Sequence, residues 1–304
     1  MKKILFFIAV ATIISCTSEI NTEHAIISGK IINSTSNKIT VYSEFNSDNK
    51  IEITLNEDGT FKDTLKMATD FYFWRQGRNR LNFYLPKGDH LIVNYDAKEK
   101  DSTIQINGSV ANVNQYLIEK EQLYTTVRGD RKKLYLKNEE DFKEHLLKIK
   151  TAQEDLLIKT DNIPDDFRAN EIKELNFQHL YALSIYQSYH GYYIKDREFK
   201  TSENFLSDLK NIDIENENDF LFSRSYRSLI SSKLREESSL IAKKDTIPSD
   251  IAYLTAIAKV KNKVIKNKLL FDDAKYGITY TENLEDYYAI YAKNSTDKDN
   301  NAKI

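Results

Sequence analysis

Short apolar segments at strand-like intervals occupy the chain between residue 25 and about residue 107. They recur at roughly 8–12-residue spacing, which is typical of strands in a sandwich or a barrel. In residues 51–55 (IEITL), apolar and polar side chains alternate, as they do on a strand with one buried face. No run with a helical period interrupts the series, so the pattern predicts an antiparallel β-sandwich over residues 25–109.

Two turn sequences separate the predicted strands. Residues 56–59 (NEDG) and 86–89 (PKGD) each place a glycine where a tight turn requires a positive φ. Glycine adopts this left-handed conformation without the steric cost that a Cβ atom brings. We therefore expect Gly59 and Gly88 to lie in turns with a positive φ.

From residue 111 onward the apolar residues recur with the period of a helix. The pattern predicts a helical domain over residues 110–293, which makes the fold class α+β. Asn138 is the expected N-cap of the second helix, because three acidic residues follow it in the first turn. The predicted helices begin at residue 111, follow Asn138 and stop before Pro164, and then cover residues 164–193, 222–234, 251–270 and 284–292. Residues 294–304 are expected to form a polar tail or the start of a linker.

The N-terminus carries a pattern of its own. Lys2 and Lys3 precede an apolar run over residues 4–14. A helix needs roughly 20 apolar residues to span a bilayer, so this run is too short and predicts a signal peptide over residues 1–15. The run ends in Ser15-Cys16, which resembles the bacterial lipoprotein box. That resemblance implies lipidation of Cys16, with residues 16–24 as a lipidated tether. The alternative is an incidental cysteine beside an ordinary secretion signal.

The amino-acid composition limits the kinds of site and partner that we expect for this chain. Cys16 is the single cysteine of the 304 residues, so its lipidation leaves no thiol for a disulfide, a redox pair or a cysteine zinc site. The net charge of −2, with both signs mixed along the chain, argues against a nucleic-acid partner. Phosphate-loop and nucleophile-turn motifs are also missing from the sequence. We therefore expect neither a cofactor nor a metal.

Three short motifs resemble those of one protein family. Residues 58–61 (DGTF) resemble its D-G-x-F hairpin, residues 84–93 (YLPKGDHLIV) its L-x-P-G-D-x-I-x-V turn, and residues 114–117 (NQYL) its entry into helices. Together with the lipoprotein box, they resemble the N-terminal portion of TlpA-like thiol–disulfide oxidoreductase lipoproteins. In that family a domain of unknown function and a helical region precede a thioredoxin-like domain.

The sequence departs from this family in one respect. The Trp-Cys-x-x-Cys pair of the thioredoxin-like domain is absent, so no residue here inherits a catalytic role. The chain is expected to be either the first part of a longer oxidoreductase, which the polar tail favours, or a version without the redox domain.

The predicted function is that of a non-catalytic accessory or anchoring region in a Gram-negative envelope, facing the periplasm. Its expected partners are the membrane, through Cys16, and an envelope protein or a thioredoxin-like domain. The rival hypothesis is a free-standing lipoprotein that binds a glycan, a peptide or an envelope partner.

Two segments are candidates for binding. Residues 177–193 are crowded with aromatic side chains, of which Tyr186, Tyr189 and His190 form a candidate binding stripe. The favoured alternative is a buried helix whose tyrosines fill the core. His179 and His190 lie about 16 Å apart along one helix, so a single metal cannot bind both. The five lysines between residues 259 and 268 are candidates for lipid-headgroup contact or, more simply, a solvated face.

Overall fold

Strands occupy the first part of the described chain and helices the second, which confirms the α+β class. The computed structural model describes residues 24–46, 48–67, 70–210 and 212–304. The chain divides into two compact units, of which the first ends at Ala111 and the second begins at Asn112. Cys16 and the predicted signal peptide lie outside the described residues.

The first unit contains two four-stranded sheets. Their strands are β1 (Ala25–Ile32), β2 (Lys38–Ser43), β3 (Lys50–Thr54), β4 (Thr60–Leu65), β5 (Phe71–Gln76), β6 (Asn79–Tyr84), β7 (His90–Asp96) and β8 (Gln105–Gly108). The sheet orders are β4-β1-β7-β8 and β3-β2-β5-β6. A short helix, α1 (Lys100–Thr103), precedes β8. It lies inside the interval in which the sequence pattern predicted strands and no helix.

The first sheet is not purely antiparallel, because β1 and β7 pair in parallel. A parallel pair needs a long crossover connection. The chain between β1 and β7 provides this connection, and on its way it forms the other sheet. Gly29 lies opposite Val93 in this pair. A Cβ atom at Gly29 would lie 1.8 Å from the Val93 carbonyl oxygen. The position therefore admits only glycine at this separation of the strands.

The two turn glycines behave as predicted. Gly59 has a φ of 82° and Gly88 a φ of 84°.

Trp74 of β5, which is fully buried, shows that the sheets face each other. Its ring lies 5.7 Å from Phe61 of β4 and 5.9 Å from Tyr95 of β7, between ring centroids. The core of the first unit thus joins side chains from both sheets.

Helices build the second unit, and the sequence pattern found the longer ones. Asn138 caps its helix as expected, since its Oδ1 accepts from the Asp141 N–H at 2.9 Å. The helices are α2 (Ala111–Arg128), α3 (Arg131–Tyr135), α4 (Glu139–Lys159), α5 (Asp165–Ile194), α6 (Glu217–Phe222), α7 (Arg224–Asp245), α8 (Ser249–Ala258), α9 (Lys263–Gly277), α10 (Leu284–Asn294) and α11 (Lys298–Asn301).

The helix predicted over residues 251–270 is two helices, α8 and α9. Asn262 separates them as an N-cap, because its Oδ1 accepts from the N–H groups of Val264 at 2.9 Å and Ile265 at 3.1 Å. The Glu215 carboxylate accepts from the backbone N–H groups of Lys261 at 2.9 Å and Asn262 at 2.7 Å. A distant side chain thus stabilises the break, and the local helical period gives no sign of it.

The polar residues after α10 are held by contacts with that helix. They form the short helix α11, and the Oδ1 of Asn301 accepts from the Tyr291 hydroxyl at 3.0 Å. Tyr291 itself is buried in the second unit. These contacts hold the segment against the helix that precedes it.

Candidate binding groove in the helical unit

The three stripe residues of α5 lie in different surroundings. Tyr186 is 0% exposed, its hydroxyl donates to the Lys137 carbonyl at 2.7 Å, and its ring centroid lies 4.4 Å from that of Phe142. His190 is half-buried, and its Nδ1–H donates to the Tyr135 carbonyl at 2.8 Å. These two side chains belong to the packed interior of the helical unit.

Tyr189 lies beside a cation instead. The Arg131 guanidinium carbon is 4.6 Å from the centroid of the Tyr189 ring, and the Tyr135 ring is 4.8 Å from it. Tyr189 is half-buried. The structure therefore does not bring Tyr186, Tyr189 and His190 together on one exposed surface.

A groove of about 510 Å³ lies next to this cluster, between α2, α3, α4 and α5 and the start of α7. Residues of α5 at helical spacings of three and four line one wall. Apolar side chains form its floor, namely Leu134, Leu146, Ile149, Leu175, Ala182 and Ile185. Five cationic side chains and two carboxylates also line it, namely Lys120, Arg128, Arg131, Lys150, Arg224, Glu121 and Glu174. The groove thus presents both aliphatic and charged side chains.

Two of the arginines stack on tyrosine rings. The Arg128 guanidinium carbon lies 5.2 Å from the Tyr124 centroid, and Arg131 packs against Tyr189 as described above. Neither Arg128, Arg131 nor Arg224 forms an ion pair with a carboxylate in the part of the chain that the structure describes. Stacking holds the guanidinium groups in place through their faces and leaves N–H donors at their edges.

The carboxylates nearest the groove already have partners. Glu174 accepts from the hydroxyls of Ser223 and Ser225, the latter at 2.7 Å, and from Gln178 at 3.0 Å. Glu171, 2% exposed, pairs with Lys120 at 2.6 Å. The other cations and Glu121 leave an excess of positive charge around the groove.

His179 lines the groove and has an unsatisfied nitrogen. Burial lowers the pKa of His179, and the nearby Lys150 ammonium lowers it further, so the ring is neutral at pH 7. Among the described residues, its buried Nδ1 has no hydrogen-bond partner. An unsatisfied buried polar atom costs on the order of 1–3 kcal/mol.

The lysines between residues 259 and 268 do not form one continuous face. They span the break between α8 and α9, and two of them form ion pairs, Lys259 with Glu237 at 2.7 Å and Lys268 with Asp272. These contacts neutralise part of the segment's charge.

Within the described ranges, no group of three histidine, cysteine or acidic side chains is placed to hold a metal ion. No helix there is both long and apolar enough to cross a bilayer.

Sequence reasoning missed the groove itself, because its lining comes from five helices that are separated along the chain.

No protein family, curated protein or solved structure with which the chain was compared matches it.

Proposed function

We propose that the chain is a lipid-anchored protein of a bacterial envelope, without catalytic chemistry of its own, that serves as an accessory region of a TlpA-like thiol–disulfide oxidoreductase. The observation that carries the proposal is the position of the single cysteine. Cys16 comes after Ser15 at the end of a short apolar run with a lysine-rich start, which is the pattern of a secretion signal, and Ser15-Cys16 resembles the lipoprotein box.

The order of the two units supports the family relation. A β-unit with glycine turns at Gly59 and Gly88 precedes a helical unit, as in the N-terminal portion of those oxidoreductases. The support is limited to arrangement and turn chemistry, since the motifs contain no reactive group.

Metabolic labelling with a radioactive fatty acid tests the anchor. We expect label on the wild-type chain and none on Cys16→Ser, because only a thiol forms the stable thioether. Ser18→Ala is the matched control and should keep the label. Equal labelling of wild type and Cys16→Ser would refute the anchor.

An insulin-reduction assay tests the redox assignment. The described units contain no cysteine, so we expect this chain to show no thiol-dependent reductase activity. The coding sequence after Ile304 tests the family relation separately: a Trp-Cys-x-x-Cys pair within one domain length supports the accessory role. A stop codon there favours the second candidate.

The second candidate is a free-standing binding lipoprotein. The observation that favours it is the groove of the helical unit, whose volume lies within the range of roughly 300–1,000 Å³ that small-molecule sites occupy. The groove also combines aliphatic side chains with seven charged ones, so it offers both apolar surface and charge to a ligand.

A further inference from the structure

We propose that the groove of the helical unit binds a small organic anion with a hydrophobic body, such as an aryl carboxylate. This inference names the ligand class for the binding role described above and is independent of lipid anchoring. It depends on two features: the apolar floor and the arginines that have no carboxylate partner among the described residues.

The floor accommodates the hydrophobic body. Leu134, Ile149 and Ile185 come from three different helices and line the same cavity of about 510 Å³. Apolar ligand surface that is buried against such a floor is removed from water, and this favours binding. A purely polar anion, such as inorganic phosphate, gains nothing from these side chains.

The arginines favour a ligand that carries a negative charge. Arg131 and Arg128 are oriented by tyrosine rings, so their guanidinium edges are available for the two-pronged hydrogen bonds that a carboxylate accepts. Arg224 is the first residue of α7, where a cation opposes the helix dipole and destabilises the helix. Arg224 lines the groove from this position.

The acidic side chains offset only part of this charge. Glu171 pairs with Lys120 at 2.6 Å, and Glu154 pairs with Lys150 at 3.7 Å. The three arginines then face Glu121 and Glu174, which leaves an excess of one positive charge in the lining. A cationic ligand would meet unpaired arginines, and a neutral one would leave them without an anion. The charge distribution therefore favours an anion.

His179 adds no positive charge to the lining of the groove, because burial lowers the pKa of its ring. The apolar floor and the guanidinium edges together match an amphiphilic anion.

Isothermal titration of the full chain with 1-naphthoate tests the inference, and 1-naphthalenemethanol serves as the uncharged counterpart of similar shape. We expect the acid to bind at least tenfold more tightly than the alcohol, because a charge-assisted hydrogen bond is worth about 1.5–3 kcal/mol and about 1.4 kcal/mol is tenfold in affinity. Arg131→Gln should weaken binding of the acid by about tenfold, and Arg131→Lys should weaken it less. Arg78→Gln, an exposed arginine of the β-unit, is the matched control and should change nothing.

Ala182→Trp gives an independent steric test. The indole fills the floor of the groove, so binding of 1-naphthoate should be lost while the melting temperature stays within a few degrees of wild type. Equal affinity for the acid and the alcohol would overturn the inference. So would an Arg131→Gln variant that binds the acid as well as Arg78→Gln does, or no binding of the acid at millimolar concentration. None of these results bears on fatty-acid labelling of Cys16.

Discussion

Replacing Lys120 with methionine removes the cation that pairs with a buried carboxylate. The Lys120 Nζ lies 2.6 Å from Glu171 Oε1, and the two side chains are 12% and 2% exposed. The Tyr116 hydroxyl donates to the same oxygen at 2.8 Å. The three groups connect α2 to α5 inside the helical unit, so the substitution leaves a buried negative charge with one neutral donor.

The expected cost is about 3–5 kcal/mol, the usual result of breaking a buried ion pair by removing one partner. The double variant Lys120→Met/Glu171→Gln removes both charges and keeps an amide oxygen for the Tyr116 hydroxyl. It should therefore recover about 2 kcal/mol or more of the loss. Lys38→Met is the matched control: its pair with Glu52 spans 3.0 Å, but the side chains are 56% and 49% exposed. Such a surface pair contributes about 1 kcal/mol or less.

Urea unfolding followed by the helical circular-dichroism signal measures these differences, and the fluorescence of Trp74 reports the β-unit separately. We expect Lys120→Met to shift the helical transition and to leave the tryptophan transition in place. A loss below about 1 kcal/mol would refute the reasoning. A double variant that is less stable than Lys120→Met would refute it as well, since removing the unpaired charge should restore stability.

Three further predictions follow from single contacts. Gly29→Ala should lower the melting temperature of the β-unit, measured by Trp74 fluorescence, because the new Cβ would meet the Val93 carbonyl; a variant that melts like wild type would contradict the close approach. Asn262→Ala should cost about 1 kcal/mol in urea unfolding, through loss of the α9 cap, whereas unchanged stability would show that Glu215 suffices. Burial raises the pKa of Tyr72 to about 12, so its protonated form stabilises the fold below pH about 10 and this stability is lost as the pH rises towards 12. Wild type should therefore lose more stability than Tyr72→Phe over that interval, and equal losses would contradict the shift.

The strands were predictable because their side-chain pattern is local. Residues 51–55 alternate in sequence, and the buried residue of β3, Ile53, is one of the apolar positions. Gly59 and Gly88 were assigned a positive φ from turn chemistry, which depends on a few adjacent residues. Asn138 was recognised as a cap for the same reason.

The parallel pairing of β1 and β7 was not predictable, because it joins strands that are far apart along the chain. The break at Asn262 depends on a contact with the Glu215 carboxylate, and Glu215 lies 47 positions away along the chain. The groove is the clearest case. Arg131, His179 and Arg224 lie on three helices, and no spacing in the sequence relates them. The aromatic pattern of residues 177–193 singled out α5, but it included Tyr186, whose hydroxyl donates to the Lys137 carbonyl inside the helical unit.

The sequence by itself determined the fold class, the order of the two units, and the positions of the turns and of most helices. These properties follow from hydrophobic period and backbone preference, which act over a few residues. Tertiary structure alone decided the strand pairing, the division of α8 from α9, and the charge and shape of the groove. These three features depend on which side chains from distant parts of the chain come within a few ångströms of each other. Their contacts then decide which charged side chains form ion pairs and which remain available to bind a ligand.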